Sequence, residues 1–432
     1  MQPARTVREP RLRDAPLAAE GVTVTSIGWA GHERTVAVIA ERTDHTAGPN
    51  LDRSDDLQVG IAMAMVGFYV ASMGSVLAIL ATEFGVAPQS LSWVGSTFGV
   101  GLVVVAALGR LVLRPGARVA LAASALTLGI GALLVAVAPS LVLVFVGAVL
   151  QGLGAAVMVL VAPVILAESA DIRLTKVNAV ASLVGVAAPV LLGVAAGLGI
   201  GGRLPLLILV PMLAWLLWLL LRQRPTASGP TGPTMPDTAP PATTPATRPR
   251  RRTALRRWLA VVMAVSVEFC YVVWGVSRLR DAGLDTSLAA IVGIAFPVGM
   301  TAGRFVGPWV IRRLPAVLFG ATVAVVGTLL VVVGSHWWLV AAGLVTAGVG
   351  VATLYPVTLS SLMATPRLNP AHGASLGALA SGTAIVSAPV VLAAVASQVD
   401  LRWAFLVPIP LLLLLLGLHG SPPRRDPRPT SR

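Results

Sequence analysis

Charge is scarce in this chain. Asp, Glu, Lys and Arg make up 12% of its 432 residues, about half of the roughly one quarter that a water-soluble globular chain carries. So few charges cannot cover a water-facing surface, which points to an integral membrane protein. Cysteine is nearly absent. The single Cys270 excludes a disulfide within the chain and any cysteine metal cluster, and its apolar surroundings read as packing. Lysine is rarer still among the basic residues: Lys176 stands alone and all others are arginine, a bias that, with the abundant Ala, Val, Gly and Pro, suggests a GC-rich bacterial genome. His32, His45, His336, His372 and His419 are scattered with no metal-ligand spacing. No phosphate-cradling Gly-Lys-Ser/Thr loop and no Ser/His/Asp grouping is visible. An enzyme is not expected, nor a cofactor or bound metal.

What the chain has in quantity is long apolar runs. From Leu57 onward about twelve stretches of ~20 residues follow one another, the length that crosses a ~30 Å hydrocarbon core as helix. The first six begin near Leu57, Gln89, Arg118, Ser140, Val177 and Leu204, the second six near Trp258, Thr286, Pro315, Trp337, His372 and Leu401. The pattern predicts an all-α membrane protein of about twelve transmembrane helices in two pseudo-symmetric six-helix bundles, residues 57–222 and 258–420. Residues 1–56 mix both signs of charge with proline and read as a disordered cytoplasmic tail. Residues 223–257, rich in Pro, Thr and Ala and ending in "RPRRRTALRRW", read as a basic cytoplasmic linker, and 421–432 as a second cytoplasmic tail.

The net charge of +14 is clustered in short gaps, as in cytoplasmic loops, with none of the basic-aromatic modules of a nucleic-acid-binding face. Arg110, Arg114 and Arg118 lie between spans two and three, Arg173 and Lys176 between four and five, Arg312 and Arg313 between eight and nine, and Arg367 between ten and eleven. The opposite loops hold only Arg203, Arg278, Arg280 and Arg402. A multi-pass cell-membrane protein with both termini cytoplasmic is therefore expected, embedded in lipid and monomeric, with no nucleic-acid partner.

The two halves echo each other. "GRLV" at Gly109–Val112 has its counterpart in "GRFV" at Gly303–Val306, and "GLG" at Gly152–Gly154 in "GVG" at Gly348–Gly350. Duplicated halves with a site between them is a transporter plan. These segments resemble the major facilitator superfamily. "FGVAPQSLSWVGSTFGVG" looks like that superfamily's passage into the second span. "GRLVLRPGARV" resembles its loop signature between spans two and three, with Gly109, Arg114, Gly116 and Arg118 matching and Leu113 standing where the acid belongs. "AVLQGLGAA" resembles its fourth-span motif, with Ala148 in place of arginine. In the second half "VEFCYVVWG", "GMTAGRFVG" and "GVGVATLYP" look like the sugar-permease-type members, the fucose permease group among them. The resemblance implies alternating access and assigns gating to the loop at Gly109, Arg114, Gly116 and Arg118 and to Gly303 and Arg304 in span eight. Without charge at Leu113 and Ala148, a drug/proton antiporter of the usual kind is disfavoured.

One residue breaks the apolar pattern. Glu268 lies ten residues into span seven, and at ~1.5 Å per residue that is close to the bilayer midplane. A lone carboxylate there costs a few kcal/mol, so it must be neutral, paired or facing a wet cavity. Facing a cavity, Glu268 would bind hydroxyl or amine groups of a small organic solute, or carry a proton. The alternative is a neutral carboxyl satisfying a neighbouring helix; Arg304 reads as too near the cytoplasmic end to be its partner. Tyr271, Trp274, Gln151, Phe68, Tyr69, Ser72, Tyr355, Ser381 and Thr383 collect at similar depth and are candidate cavity-lining residues, the competing role being anchoring at the membrane interface for Trp274 and helix packing for the others. The expected function is secondary transport of a small organic solute, with or without a proton. A drug or metabolite exporter of the same fold and a non-transporting membrane sensor or scaffold are the rival readings.

Overall fold

The computed structural model describes residues 49–166, 170–222, 251–366, 368 and 370–419. The expected first tail up to residue 48, most of the linker and the second tail lie outside them. Twelve helical spans among the described residues are long and apolar enough to cross a membrane: Ser54–Glu83, Pro88–Gly109, Ala117–Val137, Leu141–Ile165, Val180–Gly197 and Leu204–Arg222, then Arg251–Asp281, Thr286–Gly307, Ala316–Val333, Trp337–Met363, His372–Ala396 and Leu401–His419. They are spans one to twelve below. Helix outlasts the apolar pattern at two places. Span one's helix begins at Pro49, not Leu57, and span seven's at Arg251, not Trp258. Hydropathy marks where the chain enters hydrocarbon, whereas backbone hydrogen bonding carries the helix on into the polar region.

The packing repeats between halves. Span three lies on four as nine lies on ten, one on five as seven on eleven, and two on four as eight on ten. The echo in the glycine motifs has its cause here. A Cβ on Gly152 would sit 2.5 Å from the Thr97 carbonyl oxygen of span two, and one on Gly348 2.5 Å from the Phe296 carbonyl oxygen of span eight. The second glycine of each motif, Gly154 or Gly350, faces span three or nine just as closely. Only a residue without a side chain lets three backbones meet at that depth. The loops repeat too. Arg203 donates to the Val135 and Ala138 carbonyls at the end of span three, and Arg402 to the Val332 and Val333 carbonyls at the end of span nine. Each arginine closes a helix C-terminus whose last carbonyls have no helical partner.

Two spans are broken. Span eight consists of helices Thr286–Val292 and Ala295–Arg313, and span ten of Trp337–Val351 and Leu354–Met363. Pro297 and Pro356 explain the positions. Proline has no N–H to return to the carbonyl four residues back, which is Gly293 in one case and Ala352 in the other, the residues at which each helix stops.

The halves meet along spans two and eleven, five and eight, and one and seven. Contacts between them gather from mid-depth to the side opposite the termini. Thr82 and Thr286 share a hydrogen bond of 2.9 Å, Ser96 Oγ donates to the Val386 carbonyl at 3.0 Å, and Gly193 abuts Ser287 and Ile291. Gly74 and Gly95 receive Val272 and Val273. The seam between the halves is thus sealed on that side.

Candidate functional site

Span seven is buried almost throughout its middle. Between Ala260 and Leu279 only Met263, Glu268 and Val272 are more than marginally exposed. Among the described residues the Glu268 carboxyl has neither hydrogen bond nor ion pair. Its electrostatic neighbour is Arg304 of span eight, whose charge reaches it without direct contact. Arg304, expected to lie too near the cytoplasmic end to be its partner, forms no hydrogen bond or ion pair with it. Gly303 packs against Val349 and Ala352 at mid-span ten, so the next residue leaves just past mid-depth with a side chain long enough to reach across. Arg304 is exposed and donates from Nη1 to Ser182 Oγ on span five, joining the two halves on the termini side of the seal.

Tyr355 is the second residue of the second helix of span ten, just after the break, and stays partly exposed. Glu268 lies within electrostatic reach of its hydroxyl, and Ser381 of span eleven stands beside it. The Tyr355–Ser381 approach falls outside hydrogen-bond geometry, so Ser381 Oγ is buried without a partner, as is Thr353 Oγ1 at the break itself. Thr353 Oγ1 faces Gly320 of span nine, whereas a carboxyl, a guanidinium, a phenol and the Ser381 hydroxyl, from spans seven, eight, ten and eleven, lie within electrostatic or near-contact reach of one another. Each can bind a polar group and none is engaged with another at full strength.

The remaining candidates belong elsewhere. Tyr271 does not join Glu268. Its ring stacks on Phe296 at 5.2 Å and leans on Phe405 at 6.0 Å, and its hydroxyl bonds Thr328 of span nine at 2.5 Å. Three residues of helix rotate it into the second half's core. Trp274 is fully buried and donates from Nε1 to the Pro389 carbonyl of span eleven at 3.1 Å, neither in the cavity nor at the interface. Gln151 is buried against Gly131 of span three, with Nε2 unpartnered among the described residues. Ser72 Oγ returns to the Tyr69 carbonyl of its own helix, and Phe68 is buried. Thr383 Oγ1 likewise bonds its own helix, at the Leu379 carbonyl. Tyr69 lies 3.4 Å from Thr97 Oγ1 and sets its ring edge-on to Phe98, which in turn meets Phe269 of span seven at 6.5 Å. That aromatic chain crosses the seam immediately beside Glu268. Phe98 and Phe269 are indistinguishable from lipid-facing aromatics in sequence, and Ser182 from a small packing residue.

The loop between spans two and three turns at a glycine. Gly116 adopts φ +101°, a conformation costly for any side-chain-bearing residue, and Gly109 makes only ordinary contact with Leu160. Leu113, in the acid's place, packs into the core. The carboxylate comes instead from Asp55, 3.0 Å from Arg118, on the part of span one's helix that the sequence pattern assigned to the tail. Arg114 is exposed without a partner among the described residues. Outside the spans, Asp285 accepts from Ser287 Oγ and from the Ser287 and Leu288 amides at the start of span eight, which holds its carboxyl below the usual range.

Comparison with known proteins fits this architecture. Solved structures with the same fold include the nucleoside transporter NupG (TM-score 0.66, 12% identity, 86% of this chain and 100% of that one). A bacterial homologue of the human lysosomal transporter Spinster, in an inward-facing and unoccupied conformation, gives 0.64, 14%, 86% and 96%. A POT family transporter in complex with 5-aminolevulinic acid gives 0.68, 13%, 85% and 96%. No curated protein matches the sequence. The family profile described as Major Facilitator Superfamily matches residues 59–365. Twelve spans, their repeated packing and that match together place the chain: it belongs to the Major Facilitator Superfamily and is a membrane transporter, not an enzyme.

Proposed function

We propose that this transporter is a secondary carrier of a small polar organic solute bearing an amine or hydroxyl group, which Glu268 receives in the cleft between the halves. The observation that carries the reading is the Glu268 carboxyl itself: accessible on an otherwise buried stretch of helix, at mid-depth, with no partner. A carboxyl left open in hydrocarbon is unfavourable by a few kcal/mol unless water or a ligand reaches it. Arg304, Tyr355 and Ser381 offer a cation and two hydroxyls for the solute's remaining polar groups. A solute with both an amine and an acid would engage Glu268 and Arg304 at once, and the POT neighbour's 5-aminolevulinic acid is of that kind. The basic loops favour cytoplasmic termini in a cell membrane, so a seam sealed on the other side corresponds to an inward-open carrier. The bond from Arg304 to Ser182 already bridges the halves on the termini side and is kept as they close around the solute, and the Gly116 turn with Arg114 and Arg118 moves with the first half.

A proton is the second occupant that one observation favours. Among the described residues the Glu268 carboxyl makes no hydrogen bond or ion pair that taking up a proton would have to break.

The test is a thermal-shift screen of the purified full chain and Glu268→Gln against amino acids, sugars, nucleosides and organic acids, followed by counterflow in liposomes. A solute that stabilises and exchanges in wild type and does neither in Glu268→Gln is the expected result. Equal stabilisation of both proteins removes Glu268 from the binding site. Counterflow that survives in Glu268→Gln while proton-driven uptake is lost assigns the carboxyl to the proton instead.

A further inference from the structure

Spans two and three scarcely touch each other; both lean on span four. The gap between them is an apolar groove of about 290 Å³ at the termini side, walled by Val112, Val119, Leu153 and Val157 and floored by small residues such as Ala123 and Gly154. Its hydroxyls have no hydrogen left to donate to a polar guest. Ser124 Oγ is spent on the Leu121 carbonyl and Thr127 Oγ1 on the Ala123 carbonyl. The mouth is different in kind. Pro115 at the rim adjoins Arg114, exposed and without a partner among the described residues. Span three begins just beyond, at Ala117, and its N-cap Gly116 has no side chain to cap the first amides. Arg118, 43% exposed, adds a second guanidinium, of which Asp55 neutralises part. An apolar slot long enough for part of an acyl chain therefore opens beneath a cationic rim at the level where headgroups lie.

We propose that this groove is a binding site for one anionic phospholipid, its acyl chain between spans two and three and its phosphate over Arg114 and the first turn of span three. The groove accounts for the chain, and charge complementarity at the mouth selects the headgroup. The basic side of the protein is also the side on which anionic lipids concentrate when its termini are cytoplasmic. The lipid would brace the loop that links spans two and three.

The experiment is native mass spectrometry of the full chain in detergent with added phosphatidylglycerol or phosphatidylcholine of identical acyl chains, with melting temperature read in parallel. Wild type should retain phosphatidylglycerol about fivefold better, the factor that ~1 kcal/mol per arginine near a membrane surface corresponds to. Arg114→Gln should bring the two lipids level. Ala123→Phe, which fills an exposed part of the groove, should lose both while melting as wild type does in detergent alone; Ala123→Val serves if the larger ring unfolds the protein. Glycerol 3-phosphate, a headgroup without chains, should have no effect. Equal retention of the two lipids by wild type overturns the proposal, as does undiminished phosphatidylglycerol in Arg114→Gln. Stabilisation by glycerol 3-phosphate alone would make the rim a free phosphate site and overturn the lipid.

Discussion

Trp274 donates its single polar hydrogen to the Pro389 carbonyl, and Tyr271 shares its hydroxyl with Thr328; both side chains are otherwise sealed in apolar packing. Interhelical hydrogen bonds inside a membrane contribute on the order of 1 kcal/mol or less. Trp274→Phe and Tyr271→Phe are therefore each expected to lower the melting temperature slightly while leaving solute affinity within about twofold, a difference of ~0.4 kcal/mol. A large loss of affinity with unchanged stability would return either residue to the cavity. Asp285 makes a different prediction. Its folded carboxyl is held below the ordinary value, first by the Ser287 hydroxyl and then by the Leu288 amide. A depressed folded pKa means stability that is present above the unfolded value of about 3.9 and lost as pH falls through the folded one. Asp285→Ala should thus melt below wild type at neutral pH, and the gap should narrow as acid protonates the wild-type carboxyl. A gap that is constant with pH would mean that the charge contributes nothing at that helix start.

At the scale of the helix, two glycines of span two separate folding from motion. Gly101 lies against Gly152 within the first half, whereas Gly99 lies against Gly382 and Val386 across the seam. A methyl group meets backbone at under 3 Å in both places, so something must shift. Gly152→Ala strains a permanent interface and should destabilise the protein by about 1–3 kcal/mol. Gly99→Ala strains a contact that alternating access must break in any case, so it should shift the conformational balance toward opening of the sealed side at smaller expense in stability. Paired spin labels across spans two and eleven would read that shift; unchanged distances, with a melting loss matching that of Gly152→Ala, would refute it. The glycine echo was legible in sequence because packing in each half demands the same small residue at the same depth. The breaks in spans eight and ten carry a visible proline signal as well. Asp55 was not legible, because it precedes the apolar pattern by which the first span is recognised, and helix formation does not stop where hydrocarbon does. Arg304's reach was also hidden, since sequence gives the depth of a Cα atom and not the direction of a long side chain. Glu268 stood out for the reason that makes it chemically interesting: nothing around it in the chain shares its polarity.

For the whole molecule, one prediction joins the seal to the site. Twelve crossings return the chain to the side on which it began, and apart from the Arg304–Ser182 bond the two halves are fastened at mid-depth and beyond, away from that side. If the halves rock about the cleft that holds Glu268, the fastening must open once in every cycle. Thr82 and Thr286 sit at its far edge with their Oγ atoms 2.9 Å apart, near enough for sulfur atoms in the same positions to approach a disulfide with small adjustment. The lone native thiol, Cys270, is fully buried and should not compete. Thr82→Cys combined with Thr286→Cys should oxidise readily in the resting protein and stop solute exchange in liposomes, and a reductant should restore it. Solute binding from the termini side should survive oxidation if, as proposed, Glu268, Arg304, Tyr355 and Ser381 receive the solute from that side. Exchange that continues at full rate with the crosslink complete would show that this edge never parts, and the solute would then need a route that does not run between the halves.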